Sequence, residues 1–139
     1  MQARKILLGV DFSPASRKAL DWASALAHET GATLLIAAVE PGQPTSHFGS
    51  IYQGLPDPGI AELAKRLAEL CPSDCSIPCE HRILRGDAAT ELLKLIHDEQ
   101  VDAVVLGSHD DATLRHALLG STAETVLRKA HCPVMICKA

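Results

Sequence analysis

The sequence predicts an α/β fold: a single open five-stranded parallel sheet with helices on both faces. Three observations carry that prediction. Short apolar runs alternate with stretches of helical periodicity, a pattern that demands parallel strands joined by right-handed crossovers. Apolar residues make up 47% of the chain and aromatics only 3%, so Leu, Ile, Val and Ala must fill the core, as in sheets covered on both sides. The length, 139 residues, suits one domain, expected over 1–139, that buries enough surface to fold without disulfides or metal.

The elements follow in order. Lys5 to Val10 is a buried strand ending in Asp11, and Ser13-Pro14 gives a helix cap followed by proline at the first helical position. Ala19, Leu20, Ala23, Leu26 and Ala27 recur at helical spacing until Gly31, and Thr33 to Val39 reads as the second strand. Pro41 to Gly59 is rich in proline and glycine and lacks periodicity, so it reads as a long loop. Ile60, Leu63, Ala64 and Leu67 mark the second helix. A third strand is expected over His81 to Arg85, then Gly86 and a capping Asp87 before a helix whose face is Ala88, Leu92, Leu95 and Ile96. Asp102 to Gly107 is the fourth strand and Ser121 to Ala130 the fourth helix, with Ala123, Val126, Leu127 and Ala130 on one face. Pro133 to Cys137 is the fifth strand.

Composition excludes several classes. A net charge of −4 without a basic cluster argues against nucleic acid as a partner. The longest apolar runs, such as Leu34 to Val39, are far below the roughly 20 residues of a membrane span, and no apolar export signal follows Met1 to Lys5. The odd count of five cysteines fits reduced thiols in the cytoplasm better than a disulfide framework.

Ligands of open parallel sheets bind beyond the carboxyl ends of the strands, where the strand order reverses. With the first strand central and the order 3-2-1-4-5, that crevice lies between the first and fourth strands, and Asp11 and Gly107 face one ligand. Ser121 and Glu124 have capping-box spacing at the start of the fourth helix. A helix N-terminus offers unpaired N–H groups and partial positive charge, and Gly120 before it lets a phosphate approach the backbone. The segment from Gly107 to Ser121 therefore suits a phosphate. Taken singly, Gly120-Ser121 also reads as an ordinary turn and cap, and Asp11 as a turn carboxylate.

Nearly end to end, the chain resembles the universal stress protein family. The likeness rests on KILLGVDFSPAS near the start, GDAATELL before the third helix, and VDAVVLGS, LLGSTAETVL and HCPVMIC toward the end. The resemblance implies an adenine nucleotide α-hydrolase-like fold that often binds ATP. Members that bind ATP carry G-x-x-G, nine residues, then G-[ST]. Here Gly107, the stretch Asp111 to Leu119, and Gly120-Ser121 keep that frame, while Asp110 replaces the second glycine. Carboxylates at Asp110 and Asp111 repel phosphate if they face it; turned into water, or bridged to phosphate by Mg2+ or Mn2+, they do not.

Carried over residue by residue, the family pattern implies an adenosine pocket lined by Val10 and Asp11, with Asp11 toward the ribose, the backbone of Val39 at adenine, and Gly107 near the ribose. His109 falls at a phosphate-contacting position, and also reads as an exposed loop residue. Gly120, Ser121 and Thr122 would donate to phosphate. The ligand so implied is ATP, ADP or AMP. The resemblance further implies a homodimer joined through the last strand, whose edge is otherwise unpaired.

Cys71, Cys75, Cys79 and His81 invite a metal reading, but their spacing is not that of a standard zinc or iron–sulfur site. No metal is expected there, and redox sensitivity of an exposed thiol is the better reading. The sequence has no Walker lysine motif, so a stress-response binding module is expected, not an enzyme. Slow ATP hydrolysis remains open. The other alternative is a nucleotide-free dimeric interaction module using Phe48 and Tyr52 of the long loop.

Overall fold

The computed structural model describes residues 3–40, 58–108 and 121–138. In chain order these form β1 (Lys5–Val10), α1 (Pro14–Thr30), β2 (Thr33–Glu40), α2 (Pro58–Ala68), β3 (Cys79–Arg85), α3 (Ala88–Asp98), β4 (Ala103–Gly107), α4 (Ser121–Lys129) and β5 (Val134–Cys137). The strands form one sheet in the order β3-β2-β1-β4-β5, and every pairing is parallel. The expected order and fold class are those observed.

Alternation of side chains across the pleat gives β1 two buried faces, and the core divides accordingly. Ile6 and Leu8 join Ala19, Ala23 and Ala27 of α1 and Leu67 of α2 on one side. Leu7 joins Leu92, Leu95 and Ile96 of α3 and Ala123 and Val126 of α4 on the other. The alanine stripe of α1 brings that helix close to the sheet. Its ends are set as the sequence implies: Ser13 Oγ accepts the N–H of Ser16, Pro14 opens the helix, and Gly31 closes it in the left-handed conformation at φ 72°.

Several boundaries differ from expectation. The second helix begins at Pro58, inside the segment read as loop, because proline is at home in a first turn. Strand β3 begins at Cys79, two residues early; it is an edge strand whose half-buried and exposed residues show no apolar run. Asp102 lies outside β4, where its carboxylate accepts the backbone N–H groups of Arg4 at 2.7 Å and Lys5 at 3.0 Å. Leu127, expected on the buried face of α4, is 45% exposed, since α4 touches the core through Ala123 and Val126. On α3, Ala89 is buried and Ala88 is half-buried at the carboxyl edge of the sheet.

At the amino edge of the sheet, Thr33 N–H donates to Arg4 O and Asp102 N–H to Lys5 O, both at 2.9 Å. Lys5 Nζ meets Glu99 Oε2 at 2.9 Å, and Arg82 reaches Glu99 Oε1 at 3.2 Å. That edge is tied shut. The opposite edge opens into a cavity.

Candidate functional site

A cavity of about 470 Å3 lies beyond the carboxyl ends of β1, β2 and β4, within the range of about 300–1,000 Å3 typical of small-molecule sites. Its floor is apolar: Gly9, Ala37, Ala38, Leu92 and Leu106. A Cβ at Gly9 would stand 2.6 Å from Leu106 Cδ2, the movable end of a side chain. At Gly107 the constraint is harder. The missing side chain there faces the first turn of α1, and a Cβ would fall 2.7 Å from the carbonyl carbon of Ala15 and 2.8 Å from Ser16 N. Close docking of α1 on β4 thus fixes the rim between Gly107 and Asp11.

Beyond Val10 the chain turns sharply. Asp11 N–H donates to Ser16 Oγ at 3.1 Å, and Asp11 Oδ1 accepts Ser13 N–H at 3.0 Å. Phe12, between them, has φ 65°, a left-handed conformation that costs a bulky residue about 1–3 kcal/mol. The turn holds Phe12 with its ring under Arg66, whose guanidinium carbon is 4.2 Å from the ring centroid. Leu63 and Arg66, one helical turn apart on α2, line the cavity beside Val39.

Ser121, Thr122 and Ala123 of α4 line the far end of the cavity. Ser121 is the first residue of that helix, and Glu124 accepts from Arg128 at 2.8 Å, forward along α4. The first-turn N–H groups and the helix dipole lie at this end, where they favour an anion.

Of the residues singled out from sequence, Val10, Asp11, Val39, Gly107, Ser121 and Thr122 line this one cavity. Val10 is buried, Asp11 and Ser121 are exposed, and Thr122 is half-buried. His109, Asp110, Asp111 and Gly120, together with Phe48 and Tyr52, lie outside the described residues. Phe12, Leu63, Arg66 and Ala88 were not foreseen as site residues. Leu63 and Arg66 share a helix face, which is a signal, but only docking of α2 shows that the face overlooks the sheet ends.

The cysteine-rich connection is separate. Cys71 and Cys75 are exposed, and burial raises the pKa of Cys79, with smaller contributions from Cys71 and Glu80. Among the described residues, no group of three or more His, Cys, Asp or Glu side chains is placed to hold a metal ion. Nor is any helix among them long and apolar enough to cross a membrane.

Strand order, two-sided helical cover and a cleft at the point where the order reverses define a doubly wound α/β protein with a cavity at the carboxyl edge of its sheet. Residues 2–138 match the model of the Universal stress protein family. The chain belongs to that family. Universal stress protein A homolog 1 of Coxiella burnetii is 31% identical over 140 residues, covering 97% of this chain and 96% of that one. Among solved structures, MJ0577 of Methanocaldococcus jannaschii superimposes with a TM-score of 0.83 at 25% identity, covering 100% of this chain and 98% of its own. A universal stress protein in complex with cAMP gives a TM-score of 0.74 at 24% identity, covering 99% and 98%. The Archaeoglobus fulgidus universal stress protein in complex with dAMP gives 0.73 at 20%, covering 99% and 100%.

Proposed function

We propose that this universal stress protein is a cytoplasmic stress-response module, one domain over 1–139, that binds an adenine nucleotide and acts as a regulatory switch. The observation that carries the reading is the cavity itself: an apolar floor for a base, Asp11 at the rim for a ribose hydroxyl, and the start of α4 for a phosphate. Val10, Val39 and Gly107 complete its base and ribose side, and Ser121 and Thr122 its phosphate side; His109 and Gly120 belong to the same proposed contacts. Two structural neighbours in complex with cAMP and dAMP support an adenine mononucleotide. ATP, ADP and AMP are all candidates, and Mg2+ or Mn2+ would bridge phosphate to a carboxylate, leaving most of its other positions to water.

A binding role fits better than phosphoryl transfer, which needs strong cations placed on the transferring group. Among the described residues lining the cavity, Arg66 is the one cation, and it lies on the side of α2, away from α4. A homodimer through β5 is supported by its position at the sheet edge and by Met135, which is 36% exposed there. The free thiols fit a reducing compartment.

Heating the purified protein and identifying released nucleotide by chromatography tests the reading, together with thermal unfolding in AMP, ADP and ATP, with and without Mg2+ or Mn2+. At a hundredfold excess over Kd, binding should add about 2.7 kcal/mol and raise the midpoint by on the order of 8 °C. Protein that releases no nucleotide and gains no thermal stability with any of them would overturn it.

A further inference from the structure

The cavity has two ends, which the topology places on opposite sides of β1. The α4 end lies on the β5 side of the sheet, and the α2 end over β2 and β3. The phosphate-suited groups, Ser121 and Thr122, are at the first. Arg66 is at the second, together with Phe12, Leu63 and Val39. Arg66 and Phe12 also line a neighbouring hollow of about 120 Å3 against α1, so the stacked pair is the wall between the two spaces.

Among the described residues the Arg66 guanidinium has no carboxylate partner; its contact is the Phe12 ring at 4.2 Å. A guanidinium is flat and weakly hydrated, and stacks on aromatic faces through both of its own. One face is occupied by Phe12. Phe12 is held for that contact by a left-handed backbone clamped between the bonds of Asp11 and Ser13.

Resting on the nucleotide reading above, we propose that Arg66 is a base-positioning residue: lying on Phe12 at the end wall of the cavity, it stacks its second face on the purine of the ligand. The contact is to the base, so it is indifferent to the phosphate. It orients the ligand with its base at α2 and its phosphate at α4, and it favours flat aromatic bases because a guanidinium plane is what they meet.

Titration calorimetry of the full chain with adenosine and with AMP tests this, using Arg66→Ala, Arg66→Lys and Arg66→Met. Because Arg66 is exposed on α2, all three should unfold within a few degrees of the unaltered protein. Arg66→Ala is expected to weaken adenosine and AMP by the same factor, about tenfold. Arg66→Lys keeps the charge but loses the plane, and should lose nearly as much. A loss confined to AMP, or full recovery by lysine, would make Arg66 a phosphate or simple charge contact and overturn the proposal. So would unchanged affinity in Arg66→Ala and Arg66→Met. Failure of the unaltered protein to bind either ligand would overturn the nucleotide reading and this inference with it; binding that ignores Arg66 would overturn this inference alone.

Discussion

The hydroxyl of Ser16 accepts the backbone N–H of Asp11 at 3.1 Å, and Ser16 is only 3% exposed. This bond ties the carboxyl end of the central strand to the first turn of α1, so the rim of the cavity is set by a buried side chain that does not itself line it. Ser16→Ala removes the acceptor and is expected to cost about 1 kcal/mol, lowering the thermal midpoint by about 3 °C. Nucleotide affinity should fall as well, because Asp11 loses its anchor. Calorimetric unfolding and ligand titration of the variant check both, and an unaltered midpoint would show that the bond does not hold the rim.

Gly107 and Gly9 line the same cavity but differ in what a methyl group would strike. At Gly107 the obstacle is α1 backbone at 2.7 Å; at Gly9 it is the tip of Leu106 at 2.6 Å, beside open space. Backbone cannot step aside as a side-chain end can. Gly107→Ala is therefore expected to cost about 1–3 kcal/mol in denaturant unfolding, and Gly9→Ala under about 1 kcal/mol. Equal midpoints in urea would contradict the packing of α1 on β4.

Stability should fall in acid through Asp102. The backbone N–H groups of Arg4 and then Lys5 hold its carboxyl below the usual carboxylate range, with their positive charges adding to the effect. Between that lowered value and the ordinary value near about pH 4, the unfolded chain binds more protons than the folded one, so stability rises with pH in this window. It is fully present above about pH 4 and is lost as pH falls through the folded value. Asp102→Asn keeps an acceptor oxygen without the charge, so urea midpoints between pH 5 and pH 2 should fall less steeply than in the unaltered protein. Glu99, lowered by hydrogen bonds from Lys5 and Arg82, contributes in the same direction and remains in that variant.

The thiols should react in an order set by exposure. Cys71 and Cys75 are exposed, whereas Cys137 is 6% exposed and burial pushes its thiol up. Since the thiolate is the reacting form, a disulfide reagent at neutral pH should label Cys71 and Cys75 first and Cys137 last. Mass spectrometry of the partly labelled protein reads the order directly. Early labelling of Cys137 would mean that β5 opens readily.

Where an element is buried on both faces or opens on a capping residue, its sequence announces it. Lys5 to Val10, Ser13-Pro14 and the alanine spacing of α1 all do so. Edge strands are harder: Cys79 and Glu80 begin β3 although neither continues an apolar run, because among the described residues that strand pairs on one side only, with β2. Leu127 misleads because apolar spacing cannot tell which part of a stripe a short helix turns inward. The same division holds at the site. Val10, Asp11, Val39, Gly107, Ser121 and Thr122 lie at ends of elements, where topology alone brings them together. Phe12 and Arg66 depend on a left-handed turn and on how α2 docks, and neither is a periodic property of the chain.

Central placement of β1 has a kinetic consequence. Its pairing with β2 closes a loop of roughly 30 residues, and its pairing with β4 one of roughly 100, a difference of about 1 kcal/mol in closure entropy. The β1–α1–β2 unit can therefore form while the rest of the chain is still unstructured or still being synthesised. Asp11, Phe12 and Val39 would then be in position with nothing opposite them. Gly107, Ser121 and Thr122 arrive only with the second closure, so a half-folded molecule has half a pocket.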